Sequence, residues 1–204
     1  MPFITFEGLD GSGKSTLIKL LAESLQSQGK SVFLTREPGG SSLGPELRSI
    51  LLRTKGPAPC PEAELLIYEA DRAQHVLEII QPRVAQGEWV LSDRFADSSL
   101  IFQGEGRGLN KDDIRWLNAF ATKGTQPDVT FLLDCPVELS FSRRAKRKAD
   151  RFEQEEQAFH ERVRKGFLDL ARSEKKRFVI LDATQKPEEL LKHVQDKLQT
   201  RGLL

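Results

Sequence analysis

Residues 8–15 read GLDGSGKS: a glycine, four residues, then Gly13, Lys14 and Ser15. Those residue types at that spacing make a cradle for phosphate. Glycines let the backbone turn so that several N–H groups point inward at anionic oxygens. A helix beginning there adds partial positive charge. Lys14 has the reach to bridge β- and γ-phosphates, and the Ser15 hydroxyl is a ligand for Mg²⁺. The chemistry implied is that of a nucleoside triphosphate with its metal, held by Gly8, Leu9, Asp10, Gly11, Ser12, Gly13, Lys14 and Ser15, with Thr16 next in the chain. The loop alone leaves open whether the γ-phosphate passes to water, as in a switch or motor, or to an acceptor, as in a kinase. It also leaves Asp10 unexplained, an anion inside a loop built for anions.

Further stretches carry reactive side chains. In SDRF (92–95), Asp93 suits magnesium or its water, and the planar fork of Arg94 suits a phosphate. TREPGG (35–40) is either an ordinary turn or one that brings Pro38 and its backbone close to a ligand. The helical segment 41–52 after it carries Arg48. In ELLIYEADRAQH (64–75), Tyr68 and Arg72 lie four apart and share a helical face. That pair fits two readings: a ring and a guanidinium gripping a flat base, or a core aromatic beside an ion pair with Glu69 or Asp71. Between 143 and 151 stand six cations: Arg143, Arg144, Lys146, Arg147, Lys148 and Arg151. Such a run is a solvated face or a basic lid that closes over a transferring phosphoryl group.

The elements that must position these groups are legible as periodicity. Runs at 3–7, 31–35, 88–92, 129–134 and 177–182 are short and rich in β-branched, Leu and Phe residues, and read as strands. Helical patterns separate them. Leu17, Ile18, Leu21 and Leu25 form one stripe, ended by Gly29. Ile114, Leu117 and Phe120 form another, with Asn110 as its N-cap. Leu190, Leu191, Val194 and Leu198 form the last, with Pro187 in its first turn. Strands alternating with helices predict a parallel sheet covered on both faces, with ligands at the carboxyl ends of the strands. Glu7, Asp93, Asp134 and Asp182 close such strands.

With 204 residues the chain suffices for one domain. Its net charge of +1 gives no basis for nucleic acid or an anionic membrane as partner. Cys60 and Cys135 follow no metal spacing and read as two buried thiols. No secretory leader pattern opens the sequence and no apolar run has membrane-spanning length, so the expected location is the cytoplasm.

The set FEGLDGSGKST, TREPGGSSLGPELR, YEADRAQH, SDRFADSSLIFQGEGRGL, PDVTFLLDCPVE and DRFEQE resembles the bacterial thymidylate kinase family in order and approximate spacing over almost the whole chain. The resemblance implies a three-layer P-loop NTPase fold of the α/β class. Its five-stranded parallel sheet is flanked by helices, with a single kinase domain over 1–204 and a lid at about 143–153. It implies a homodimer that phosphorylates dTMP to dTDP with ATP and Mg²⁺. On the acceptor side it assigns Asp10 to the sugar, Arg48 and Arg94 to the phosphate, Tyr68 and Arg72 to the base, and Ser98, Ser99 and Gln103 to the lining. Two positions depart from the family pattern: Tyr68 stands where Phe is common, and Phe102 replaces the tyrosine of AYQG. The Phe102 ring still crowds the sugar 2′ position, but any hydrogen bond from the lost hydroxyl is gone. No cation occupies the four variable positions of the phosphate loop. Transition-state charge requires one, so the lid supplies it. Arg147 and Arg151 are the catalytic candidates beside Lys14, Arg94 and Asp93, with Arg143 against the adenine. The alternatives are a kinase for another nucleoside monophosphate, or a nucleotide-dependent switch or ATPase. Arg48 and Arg94 favour an acceptor that already carries phosphate.

Overall fold

The five apolar runs become the strands β1 (Phe3–Glu7), β2 (Val32–Arg36), β3 (Trp89–Asp93), β4 (Val129–Asp134) and β5 (Phe178–Asp182). All pair parallel, in the order β2-β3-β1-β4-β5. They belong to a computed structural model that describes residues 1–144 and 150–204. Arg147, with Lys146 and Lys148, lies outside the described residues. The strands β2, β3 and β5 begin one residue later than the sequence runs indicate.

Helices α1 (Lys14–Ser27) and α9 (Pro187–Thr200) cover one face of the sheet. Ile4 and Phe6 of β1, Leu91 of β3 and Phe131 of β4 pack there against Leu21, Leu25, Val194 and Leu198. On the other face, Leu132 and Phe178 pack against Val163 and Phe167 of α8 (Gln157–Ser173). Phe3 and Val90 meet Val76 and Ile80 there. Successive strand residues therefore alternate between two apolar layers, which is why the inner strands are buried on both sides. The remaining described helices are α2 (Gly44–Leu52), α3 (Pro61–His75), α4 (Gln81–Ala85), α5 (Ala96–Ser99), α6 (Lys111–Thr122) and α7 (Val137–Arg144). A π turn (Val76–Ile80) joins α3 to α4, and another (Leu100–Gly106) extends α5.

Two expectations fail. The sequence pattern groups Phe120 with Ile114, but Phe120 is exposed, stacked on Trp116 with ring centroids 5.9 Å apart. At about 100° per residue, position i+6 lies some 120° from i. It is Ala121, at i+7, that is buried with Ile114. Cys60 is also exposed, because it sits outside α3 at the N-cap position. The N-cap of α6 is Asn110, whose side chain accepts from the Asp112 N–H at 2.8 Å.

Candidate active site

The phosphate loop leaves the carboxyl end of β1, and the β1–β3 register brings Phe6 opposite Asp93. Its conformation depends on glycine. Gly8 has φ 134°, and a Cβ there would lie 2.6 Å from the Leu133 carbonyl oxygen. Gly11 has φ 82°, and a Cβ there would lie 2.7 Å from the Ser140 carbonyl oxygen. Lys14 is buried and donates to the Gly8 and Leu9 carbonyls at 3.1 and 3.0 Å. Ser15 donates its hydroxyl to Asp93 Oδ2 at 2.9 Å. A cavity opens over this loop, lined by residues 10–17, Asp93, Arg143, Arg144 and the 183–190 segment. Thr16 is exposed on its wall, whereas Gly8 and Leu9 serve from behind through their carbonyls.

A second cavity lies beside the first and shares Asp10 with it. Pro38, Arg48, Tyr68, Arg72, Arg94, Ser98, Ser99, Phe102 and Gln103 line it, so the segments expected on the acceptor side converge on one space. Asp10 stands on the boundary and accepts from Arg94 Nη2 at 2.9 Å, with Lys14 4.0 Å away. Burial pushes its carboxyl up, but Arg94 and Lys14 outweigh that and hold it well below the usual carboxylate range. For Lys14 the balance runs the other way: burial, then Arg94, lowers its pKa.

Arg94 has φ 74°, a left-handed backbone uncommon for any residue but glycine, which the surrounding structure must hold in place. Its N–H donates to the Phe6 carbonyl at 3.0 Å, and its carbonyl accepts from Ser92 Oγ at 2.7 Å. The guanidinium lies over the Phe102 ring, 4.9 Å from the centroid, and 3.7 Å from Glu7. Glu7 is fully buried and accepts from the Phe95 N–H and Ser98 Oγ at 2.9 and 2.7 Å. Burial raises its pKa from 4.5 to about 7, against the opposing pull of Arg94.

Arg72 is buried, lines the cavity and forms an internal ion-pair network that includes the Glu69 of the second reading. It donates to Glu37 at 2.9 Å, Glu69 at 2.5 Å, Ser99 Oγ and Asn118 Oδ1 at 2.9 Å, and the Phe95 carbonyl at 3.1 Å. His75 holds the other oxygen of Glu37 through Nδ1 at 2.9 Å. Burial, then the nearby Glu64 charge, raises the pKa of Tyr68. Arg48 donates to the Pro38 carbonyl at 2.7 Å.

The basic run divides. Arg143 reaches the Ala183 carbonyl at 3.0 Å, on the wall away from the second cavity. Arg144 is buried against the phosphate loop, and its Nη1 has no hydrogen-bond partner among the described residues. Arg151 points elsewhere than expected: it donates to Glu64 Oε2 at 2.5 Å and to the Leu51 carbonyl at 3.0 Å, and lines neither cavity. Of the carboxylates closing strands, Asp134 instead takes a bidentate bond from Arg164 at 2.6 and 3.0 Å, and Asp182 turns the chain by accepting from Thr184. Sequence reasoning passed over Glu37, Glu64 and Phe152. Their signal is three-dimensional, since each meets partners distant in the chain.

The profile described as thymidylate kinase matches residues 6–194. The chain belongs to the thymidylate kinase family. Its relatives include the thymidylate kinase of Bdellovibrio bacteriovorus, 49% identical over 100% of this chain and 98% of that protein. Those of Trichlorobacter lovleyi and Geobacter sulfurreducens are each 48% identical over 98% of this chain and 97% of theirs. Thymidylate kinase membership fixes the fold as that of the P-loop kinases, makes the chain an enzyme with ATP as phosphate donor, and makes its acceptor a small nucleotide. Among the described residues no helix is long and apolar enough to cross a membrane.

Proposed function

We propose that the chain transfers the γ-phosphoryl group of ATP to dTMP, giving dTDP and ADP. The observation that carries this reading is the Asp10–Arg94 ion pair at the boundary of two cavities. One cavity has the loop for a triphosphate. The other has arginines for a second phosphate and a ring beside a guanidinium for a base. A switch or an ATPase has no use for the second.

ATP lies along residues 8–16, with Lys14 at its β- and γ-phosphates and Arg143 towards the adenine. Ser15 and Asp93 are hard oxygen donors of the kind magnesium takes alongside phosphate oxygens and water. Bound there, the metal supplies charge neutralisation at the β- and γ-phosphates. Arg94 and Arg48 hold the dTMP phosphate in line with the γ-phosphorus. That phosphate is already ionised at pH 7, so no strong general base is needed and positioning dominates. The cations on the moving charge are Lys14, Arg94 and the lid arginines, Arg144 at the loop and Arg147 three residues on.

Tyr68 stacks on thymine and Arg72 meets its O4 carbonyl. Arg is donor only and cannot accept from the cytosine amino group. Such a mismatch costs roughly 1–3 kcal/mol. Phe102 crowds the sugar 2′ position, and Asp10, Ser98, Ser99 and Gln103 complete the lining. The chain works as one domain in the cytoplasm, where its nucleotides are. It pairs with a second copy through an exposed apolar face: Leu66 and Leu77, eleven residues apart, with Trp116 and Phe120 of α6, the helix packed on α3. The test is ADP release with each nucleoside monophosphate offered in turn. Turnover concentrated on dTMP supports the reading. Equal turnover with water alone removes it in favour of an ATPase.

A further inference from the structure

Glu64 is 1% exposed, one turn before Tyr68 on α3, and is the meeting point of three segments. Its Oε1 accepts from Gln103 Nε2 at 2.9 Å and Arg107 Nε at 3.3 Å. Its Oε2 accepts from Arg151 Nη2 at 2.5 Å. Gln103 is itself 1% exposed, stands on the π turn, and lines the acceptor cavity. The Phe152 ring packs beneath both guanidiniums, 4.8 Å from Arg151 and 5.3 Å from Arg107.

We propose that Glu64 is a positioning residue that gives the acceptor cavity its choice of base, by fixing which end of the Gln103 amide faces the substrate. The proposal rests on the dTMP reading. A carboxylate accepts and never donates, so the group turned towards Glu64 must be the Gln103 NH₂. The amide oxygen is then the end left for the cavity. That oxygen pairs with an N–H on a base edge. Thymine and uracil carry a hydrogen at N3, whereas cytosine presents a bare lone pair there and repels the oxygen. Arg151 and Arg107 anchor the carboxylate, which gives Arg151 a role in recognition through Glu64 instead of contact with the transferring group. Residues 151 and 152 of the lid thereby dock on the element that orients the base contact.

The decisive variant is Glu64→Gln. Its single side-chain oxygen is claimed by the guanidiniums, with Arg151 making the closest contact, so its NH₂ turns to Gln103. The Gln103 amide flips in response and presents a donor to the cavity. The expected result is a fall of about tenfold or more in the ratio of kcat/KM for dTMP to that for dCMP, with the KM for ATP unchanged. The exchanged pair, Glu64→Gln with Gln103→Glu, keeps the charge count and again leaves only an acceptor facing the base. It should restore selection of dTMP over dCMP, which a merely structural role for Glu64 would not produce, and it serves alone if the single variant does not fold. A single variant that keeps the wild-type ratio, or an exchanged pair without selection for dTMP, overturns the proposal. Wild-type enzyme that uses dCMP as well as dTMP would instead overturn the dTMP reading on which it rests.

Discussion

Glu7 ties stability to pH in a way that can be worked out in advance. It is fully buried, accepts two hydrogen bonds, faces Arg94 at 3.7 Å, and has its pKa raised by burial from 4.5 to about 7. A carboxyl with a raised pKa keeps its proton in the folded protein after the unfolded chain has released it. Stability is therefore lost as pH rises, beginning near 4.5 and complete above 7. Each pH unit well inside that window removes about 1.4 kcal/mol, so passing from pH 5 to pH 8 removes about 2.5 kcal/mol through this one group. Glu7→Gln carries no ionisable proton. It loses hydrogen-bond geometry towards Phe95 and Ser98, but that loss is independent of pH. The difference in unfolding free energy between variant and wild type should thus move in the variant's favour by about 2.5 kcal/mol from pH 5 to pH 8. Urea unfolding followed by tryptophan fluorescence measures it, because Trp89 is buried in the sheet. Parallel pH profiles for the two proteins would refute the reasoning.

Two more predictions follow from the site and the exposed face. Arg144→Ala should lower kcat by about a hundredfold or more while the KM for dTMP changes little, since its buried guanidinium, 3.9 Å from Glu153, packs against the phosphate loop at the wall of the triphosphate cavity; steady-state kinetics decide it, and full turnover would shift the cation role away from Arg144. Phe120→Glu, with Trp116 stacked beside it, should halve the mass seen by light scattering to 23.0 kDa, and a wild type already at 23.0 kDa would dismiss the pairing through this face.

Much of the fold is visible in the sequence because it rests on local pattern. Strands buried on both faces appear as continuous apolar runs, and the phosphate loop must be contiguous for its amides to converge on one anion. The acceptor cavity was legible only as separate segments. What escaped was the set of buried ion pairs. Arg151 and Glu64 are 87 residues apart, and Arg72 and Glu37 are 35 apart, with no periodicity to announce either pair. The π turn at Leu100–Gly106 is equally silent, although it carries Phe102 and Gln103 inward to buried positions. Arg151 illustrates the cost of reading a charge run as one unit, since Arg144 and Arg151 share the run and face different partners. Phe120 shows that an apolar residue six positions along a helix does not share the buried face: it lies about 120° from Ile114 and is exposed.

Direct transfer from ATP to dTMP requires the two nucleotides to meet at Asp10 and Arg94. Phosphorus NMR of the protein with ATP, magnesium and dTMP tests it most directly. With direct transfer the β-phosphate signal of dTDP grows in step with ADP, and no free phosphate appears. Accumulation of inorganic phosphate in step with ADP, and no dTDP signal, would contradict it.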